Sequence, residues 1–525
     1  MSEALPILSC VTLAPLAGGC VVAGLGPHQK VLARRLALGF AGLVLILAAG
    51  LWWAFKPEAA GPQFVERWVW IPTLQVEYCL GLDGLSLLMV LLTAVVTPMA
   101  LLASRGIDER VPLYHALVLF LEAGLLGTFT ALNFFHWFLF WELSLVPAFF
   151  LVRLWGGPDR GPAATQFFVY TMVGSVTMLL GFLAIFLGAK DYLGTKVFDF
   201  MTLADLGRDN RWAAYFHVNL GWYSLTAEQL TMIVFLGILL GFAVKVPMMP
   251  FHTWLPATYA VAPAGVTMLL TGLMSKMGVY GFVRILVPLF PEQVRLLLTP
   301  LLWLAVATIV FSAAAAFAQR DLKRMLAYSS VNHLGYCLLG LVAAARFTGA
   351  DAGPAGDKAA ALNGVWLQMF NHGLTAATLF GFVGFLEARS GGLRGLDDFG
   401  GLRKVAPVFC GLMGIALFAS LGLPGLNGFV GEFLIFKGVF GLAGWAAVAA
   451  TLGLLFTAIF LLTLLQRVFN GPLDERWAAF ADLSRRERLI VVPATILMFV
   501  LGICPQILLE ITNPAVLELV ERLKS

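Results

Sequence analysis

Two lysines, Lys245 and Lys276, lie inside long apolar stretches of this sequence. A charged side chain near the middle of a membrane span costs about 3 kcal/mol on insertion scales, and such residues mark functional sites. An ammonium group held away from water can exchange a proton near neutral pH. The two lysines therefore predict an ion or proton site inside a membrane. The alternative is that each extends its ammonium to the membrane surface.

Four prolines follow Lys245 closely, at Pro247, Pro250, Pro256 and Pro263. Proline has no backbone N–H donor and breaks helices. A broken helix at membrane depth is tolerated only inside protein or beside water. A buried charge beside such a break is typical of ion sites in transporters. We therefore expect the helix that carries Lys245 to be interrupted.

Carboxylates also occur in apolar surroundings. Glu142 lies in FHWFLFWELSLVPAFF, and Glu122 lies one span earlier. Glu432 follows a second breaking segment, at Pro424. Each could hold a proton inside the membrane, and the alternative for Glu142 and Glu122 is a structural carboxylate bonded to backbone groups. Lys437 lies on a different face from Glu432 and is interpreted as a surface charge.

Two histidines, His333 and His372, complete this set. Histidine titrates near neutral pH and relays protons readily, although a single buried histidine is often only hydrogen-bonded. Both lie between Lys276 and Glu432 in the sequence, so we expect a polar chain through the apolar interior. Polar residues that could complete the chain are Ser329, Ser330, Asn332, Gln368 and Asn371.

The elements that carry these residues are membrane spans. The 525 residues are 60% hydrophobic and 12% charged, whereas soluble domains have about 25% charged residues. Apolar runs of about 20 residues predict an all-α polytopic membrane protein with about fourteen transmembrane helices. The first run lacks a preceding basic region, so we expect a first span and not a cleaved signal peptide. Lys and Arg are more frequent in loops that follow odd-numbered spans, which predicts that both termini lie outside.

Several classes of function are disfavoured by what the sequence lacks. There is no phosphate-binding loop, dinucleotide fingerprint, CxxC pair or haem motif, so we expect no redox cofactor and no metal on this chain. No basic run suits a nucleic acid. The ionisable groups indicate movement of protons or ions instead.

A faint internal repeat relates the two breaking segments, AVKVPMMPFHTWLP and SLGLPGLNGFVGEF. They belong to the seventh and twelfth predicted spans, five spans apart. Paired interrupted helices point to repeated halves around sites near the membrane midplane. Because five is odd, the two halves would be inverted.

Six segments together resemble one known family: FWELSLVPAFFLVRLWGG, FAVKVPMMPFHTWLP, LLTGLMSKMGVYGF, QRDLKRMLAYSSVNHLGY, QMFNHGLTAATLFG and LPGLNGFVGEFLIF. The chain is similar to the antiporter-like membrane subunits of respiratory complex I, of the M/D type. The similarity runs from about Asp83 to Gln466.

The resemblance implies fourteen spans, two inverted five-helix repeats and broken seventh and twelfth helices. It implies that Glu142 and Lys245 form a pair, that Lys276 is a lysine of a central proton axis, and that Glu432 ends the axis. It further implies that His333 and His372 continue the axis. The corresponding regions are a three-helix segment at 1–105, the repeats at 112–288 and 297–467, and a last loop and helix at 468–525.

The resemblance also implies partners. NADH, FMN, iron–sulfur clusters and quinone are expected on partner subunits, with L-type and N-type antiporter-like neighbours in a bacterial plasma membrane or its thylakoid or inner-membrane equivalent. The segment Ala257–Ala262 lacks acidic and histidine residues that the family usually has, and Asn133 stands where aspartate is expected. Alternatives are therefore a multisubunit Na⁺/H⁺ antiporter, a CO2-uptake or hydrogenase-linked complex, or a membrane scaffold that does not pump.

Overall fold

The computed structural model describes residues 6–59, 61–208, 211–214, 218–219, 224–346 and 353–523. Helices dominate this part of the chain. In chain order they are α1 Ile7–Ala23, α2 Lys30–Ala54, α3 Gly84–Ala103, α4 Val111–Thr130, α5 Phe134–Trp155, α6 Arg160–Leu193, α7 Phe200–Arg208, α8 Ala227–Lys245, α9 Trp254–Val261, α10 Ala264–Leu289, α11 Pro291–Leu296, α12 Leu298–Phe317, α13 Leu322–Ala344, α14 Gly353–Ser390, α15 Pro407–Ser420, α16 Asn427–Phe469, α17 Arg485–Ile503 and α18 Gln506–Arg522. The strands are β1 Gln63–Ile71, β2 Val76–Leu82, β3 Val218–Asn219 and β4 Ser224–Leu225.

Eleven of the described helices are long and apolar enough to cross a membrane, and the chain is an integral multi-pass membrane protein. The pair α17 and α18, bent by 64°, raises the number to twelve if it forms one span. The prediction of fourteen spans differs from this count at three places. Helix α1 is a shorter apolar helix, the last predicted span lies in the bent pair α17 and α18, and α16 joins the second part of the predicted twelfth span to the thirteenth across a kink at Ala443.

Short polar side chains begin several of the helices. Asp83 caps α3 by accepting a hydrogen bond from the Ser86 backbone N–H at 2.9 Å. Asn133 caps α5 in the same way, accepting from the His136 N–H at 2.8 Å. Such caps satisfy N–H groups that have no partner within the helix. Asn133, where the resemblance leads us to expect aspartate, therefore supplies a cap for α5.

The two predicted interruptions are present. Helix α8 ends at Lys245 and the next helix begins at Trp254, while α15 ends at Ser420 and α16 begins at Asn427. In the second break Gly422 and Gly425 have positive φ angles of 78° and 92°. Glycine adopts this region without steric cost, so the sequence LGLPG turns the chain sharply, and Leu423, Pro424 and Gly425 are exposed on the surface of this chain.

Helix α10 is irregular on both sides of Lys276. It contains π-helical segments at Leu270–Met274 and Phe282–Leu286. Short π segments within α-helices are frequent at functional sites. Helices α10, α13 and α14 are also the most completely enclosed of the long helices, so groups on their inner faces are shielded from lipid.

Two features lie outside the spans. The antiparallel hairpin β1–β2 was not predicted from the sequence. It places Glu66 against the start of α1. The Glu66 carboxylate accepts hydrogen bonds from the Leu8 N–H at 2.7 Å and the Ser9 N–H at 3.0 Å. Helix α7 is a short helix in the connection between α6 and α8. It is followed by a small β3–β4 pair.

Candidate functional site

Lys276 lies on α10 and is fully buried. Its Nζ atom donates a hydrogen bond to Nδ1 of His372 at 2.8 Å and another to the carbonyl oxygen of Thr271. Thr271 belongs to the π-helical segment that precedes the lysine. Among the described residues, the hydrogen-bond acceptors of this ammonium are neutral groups and not carboxylates.

The contacts continue from His372 on α14 to two further helices. The imidazole rings of His372 and His333 have centroids 4.9 Å apart. On its other side, Nδ1 of His333 lies 3.0 Å from Oε1 of Glu432. Lys276, His372, His333 and Glu432, from α10, α14, α13 and α16, thus form one row of contacts, which we call the buried row.

Gln368 and Ser420 complete the surroundings of His333. The amide nitrogen of Gln368 lies 3.3 Å from both Nδ1 of His333 and Oε1 of Glu432. The Ser420 hydroxyl lies 3.2 Å from Nε2 of His333. A proton on Nδ1 lets His333 donate to the carboxylate and accept from Ser420. Gln368 belonged to the predicted polar set, whereas Ser420 was missed, because its only signal is its place at the end of α15.

Glu142 and Lys245 do not form the direct ion pair that the resemblance implies. Among the described residues, no carboxylate oxygen lies within 4.0 Å of the Lys245 ammonium, which instead sits 4.8 Å from the ring centroid of Trp141. An ammonium over an indole face is stabilised by the ring quadrupole. Glu142, adjacent to Trp141, attracts Lys245 over a longer distance, and its buried Oε1 has no hydrogen-bond partner in the described part of the chain.

Two more predicted residues have clear positions. Glu122 on α4 is completely buried, and its carboxylate lies beside the side chain of Thr97 on α3. Lys437 is exposed on α16, as expected for a surface charge. Glu122 therefore stands apart from the buried row.

A cluster of charged residues at the start of α13 is in part buried. Lys323 is 3% exposed in the first turn of α13, and its Nζ atom lies 2.7 Å from Glu387 on α14. Arg394 pairs with Asp321 at 2.6 Å in the same region. Because the Asp321 cap starts α13 before the apolar run begins, Lys323 lies within the helix and not in the preceding loop.

The described residues hold no group of three His, Cys, Asp or Glu side chains arranged to bind a metal ion. The chemistry that the buried row can perform is proton transfer among ammonium, imidazole and carboxylate groups.

Comparison with known proteins agrees with this reading. A family model described as "NADH:quinone oxidoreductase/Mrp antiporter, TM" matches residues 131–457. The chain is 35% identical over 522 residues to NADH-quinone oxidoreductase subunit M of Rhodobacter capsulatus, covering 98% of this chain and 96% of that protein. It is 34% identical over 513 residues to F(420)H(2) dehydrogenase subunit M of Methanosarcina mazei, covering 96% of each.

A solved structure is also similar. A chain of respiratory complex I from Thermus thermophilus superposes with a TM-score of 0.81 at 28% identity, over 99% of this chain and 100% of that chain. The chain belongs to the family of membrane subunits shared by NADH:quinone oxidoreductases and Mrp antiporters. The resemblance inferred from the six sequence segments is thereby confirmed.

Proposed function

We propose that this chain is a proton-translocating subunit in the membrane part of an NADH–quinone oxidoreductase, and that protons move along the buried row. The observation that carries the proposal is the run of contacts from Lys276 to Glu432 through two histidines. Membership of the family and the names of the relatives support the type of complex.

Each group of the buried row has a separate task. Lys276 passes a proton to Nδ1 of His372, with which it already shares a hydrogen bond. The imidazoles of His372 and His333 contact each other through their rings and not through a hydrogen bond between their nitrogens. Proton transfer from His372 to His333 therefore requires a ring rotation or a bridging water. His333 then delivers the proton from Nδ1 to Glu432, beside the break between α15 and α16. Buried charges repel or attract one another strongly, so Lys245 and Glu142 would control when Lys276 releases its proton.

The proposal includes an architecture of fourteen spans. The regions 112–288 and 297–467 would be two inverted five-helix repeats, each with a half-channel and an interrupted helix. The breaks after Lys245 and after Ser420 support this arrangement, as they lie in corresponding places of the two regions. The regions 1–105 and 468–525 would flank the repeats.

Electron transfer would take place on other subunits. We propose that NADH, FMN, iron–sulfur clusters and quinone bind partner subunits, that this chain holds no redox cofactor, and that its neighbours are L-type and N-type antiporter-like subunits in a bacterial plasma membrane. The Methanosarcina relative is named for a different electron donor. A related complex with another donor is therefore the second candidate, and the same row would serve it.

The test is the ratio of protons moved to electrons transferred. Lys276→Ala in the assembled complex should abolish most proton uptake by membrane vesicles while the complex still assembles. Lys437→Ala removes an exposed lysine and is the matched control. Normal proton uptake by the Lys276→Ala variant contradicts the proposal.

A further inference from the structure

Three helix ends meet around one cavity that is separate from the buried row. Helix α2 begins at Lys30, α3 ends at Ala103 and α17 begins at Arg485. Each end contributes one exposed arginine to the cavity, namely Arg35, Arg105 and Arg486. Arg34 and His115 also line it. Helix ends of a polytopic protein lie at the level of the lipid headgroups, so this basic cavity faces that region.

The positive charge of the cavity is largely uncompensated. Arg34 pairs with Asp108 at 2.8 Å and donates to the Ile107 carbonyl at 2.7 Å. Arg35, Arg105 and Arg486 form no ion pair with any described residue. Glu487, next to Arg486, is already bound to Arg389 at 2.5 Å. Three guanidinium groups therefore remain available to an anion from outside the chain.

The other walls of the cavity are apolar. Val31, Leu38, Leu101 and Leu102 line it beside the arginines. Helix α2 has the smallest buried share of the long helices, 28%, so most of its surface faces outward. A ligand that fills this site must place an anionic group among the arginines and hydrocarbon against α2 and α3.

We propose that this cavity binds an anionic phospholipid, with the headgroup phosphate among Arg35, Arg105 and Arg486 and an acyl chain along α2 and α3. Basic pockets between membrane helices bind anionic headgroups, and guanidinium groups match phosphate oxygens in bidentate geometry. A soluble anion would use the arginines but not the apolar walls. The proposal is independent of the proton path, since none of its residues contacts the buried row.

The test measures lipid binding to the assembled, delipidated complex. The site variant combines Arg35→Gln, Arg105→Gln and Arg486→Gln. The control variant combines Arg110→Gln, Arg324→Gln and Arg403→Gln, which remove three exposed arginines elsewhere. Phosphatidylglycerol, phosphatidylcholine and inorganic phosphate are added separately, and native mass spectrometry counts the bound molecules.

The site variant should lose one phosphatidylglycerol per complex, with affinity at that site reduced about 100-fold, since each arginine near an anionic lipid contributes about a fivefold factor. Phosphatidylcholine binding and the control variant should be unchanged. A second site variant with lysine at all three positions should retain most of the binding, which separates lost charge from misfolding.

Three results would overturn the proposal. The first is equal phosphatidylglycerol binding by the site and control variants. The second is binding of inorganic phosphate as tight as that of the lipid, which would make the site a soluble-anion site. The third is the absence of any phosphatidylglycerol at this site in the assembled wild-type complex, which would mean that a partner protein covers the cavity. None of these results depends on proton translocation.

Discussion

Nζ of Lys276 and Nδ1 of His372 lie 2.8 Å apart, although 96 residues separate them in the sequence. A protonated lysine can only donate, so Nδ1 must be without a proton while the bond exists. If both groups were protonated, two donors and two positive charges would face each other in a buried site. The pair therefore shares one proton, and in the proposed path a second proton can enter only after the first moves on toward His333.

The first prediction concerns this pair. His372→Gln keeps a hydrogen-bond acceptor for Lys276 but removes the group that can accept the proton. Proton translocation per electron should fall at least tenfold, since a positioned acid–base group contributes about 10²–10⁴ to a proton-transfer rate. The measurement is proton uptake and electron transfer in the same vesicles. His28→Gln, at an exposed histidine, should leave the ratio unchanged, and an unchanged ratio in His372→Gln would exclude the imidazole from the path.

The second prediction concerns Glu142 and Lys245. The Lys245 ammonium contacts the Trp141 ring and not the Glu142 carboxylate. The charges of Glu142 and Lys245 therefore interact over a distance longer than that of an ion pair. Glu142→Gln and Lys245→Ala should each impair coupling, and the double variant should lose less than the sum. A coupling energy of about 0.5–1 kcal/mol is expected, at the low end for residues that share a network.

The control for that cycle pairs Glu142→Gln with Lys437→Ala, whose effects should add because Lys437 is exposed. Strict additivity of the Glu142 and Lys245 effects would mean that the charge of Glu142 does not act on Lys245. A much larger coupling would mean that the direct ion pair implied by the family forms during turnover.

The residues of the buried row could be predicted from sequence because ionisable groups in apolar spans are costly and therefore conspicuous. Their contacts could not be predicted in the same way. His372 and Lys276 are on helices far apart in the chain, and only the packing of α10 against α14 brings them together. The breaks at Pro247 and Pro424 were predictable, since proline and glycine act locally on the backbone.

Other features were missed for physical reasons. The β1–β2 hairpin mixes charged and aromatic residues, and it has neither a long apolar run nor a two-residue turn signal. Glu142 and Lys245 have opposite charges, which suit an ion pair. The direction of the Lys245 side chain places its ammonium over the Trp141 ring instead, and the sequence does not show that direction. Lys323 precedes its apolar run, so its burial against Glu387 depends on how α13 and α14 pack.

The third prediction concerns stability at the start of α3. Arg284 on α10 pairs with Asp83 at 2.6 Å. Burial alone would raise the pKa of Asp83, but the charge of Arg284 and hydrogen bonds from Ser86 outweigh it, so the pKa lies below its usual value. Asp83→Asn keeps a helix cap but leaves the Arg284 charge without its partner. Because both side chains are partly exposed, the cost should be about 3 kcal/mol, the low end for breaking a buried pair.

The measurement is thermal unfolding of the purified complex in detergent. Asp474→Asn removes a carboxylate from an exposed ion pair with Arg476 and should cause no measurable change. Because the pKa of Asp83 is lowered in the folded state, its stabilisation is complete above its unfolded pKa and is lost as pH falls through the folded value. The difference between wild type and Asp83→Asn should therefore be constant from pH 6 to pH 8 and shrink only in strong acid. A difference that varied across neutral pH would point to another titrating group.

The fourth prediction concerns Glu432 as the end of the buried row. Its Oε1 atom contacts His333 at 3.0 Å, and its carboxylate lies against Gly422 in the break before α16. Glu432→Gln preserves size and hydrogen bonding but cannot carry a proton, so translocation should be lost with assembly intact. Glu432→Asp withdraws the carboxylate by about 1.5 Å, one C–C bond. It should retain part of the activity, because a carboxylate remains beside the break.

Glu510→Gln, at an exposed glutamate, is the control. Full translocation by Glu432→Gln would show that the proton leaves the row at His333. Equal loss in the aspartate and glutamine variants would indicate that Glu432 provides a contact with His333 and does not carry the proton.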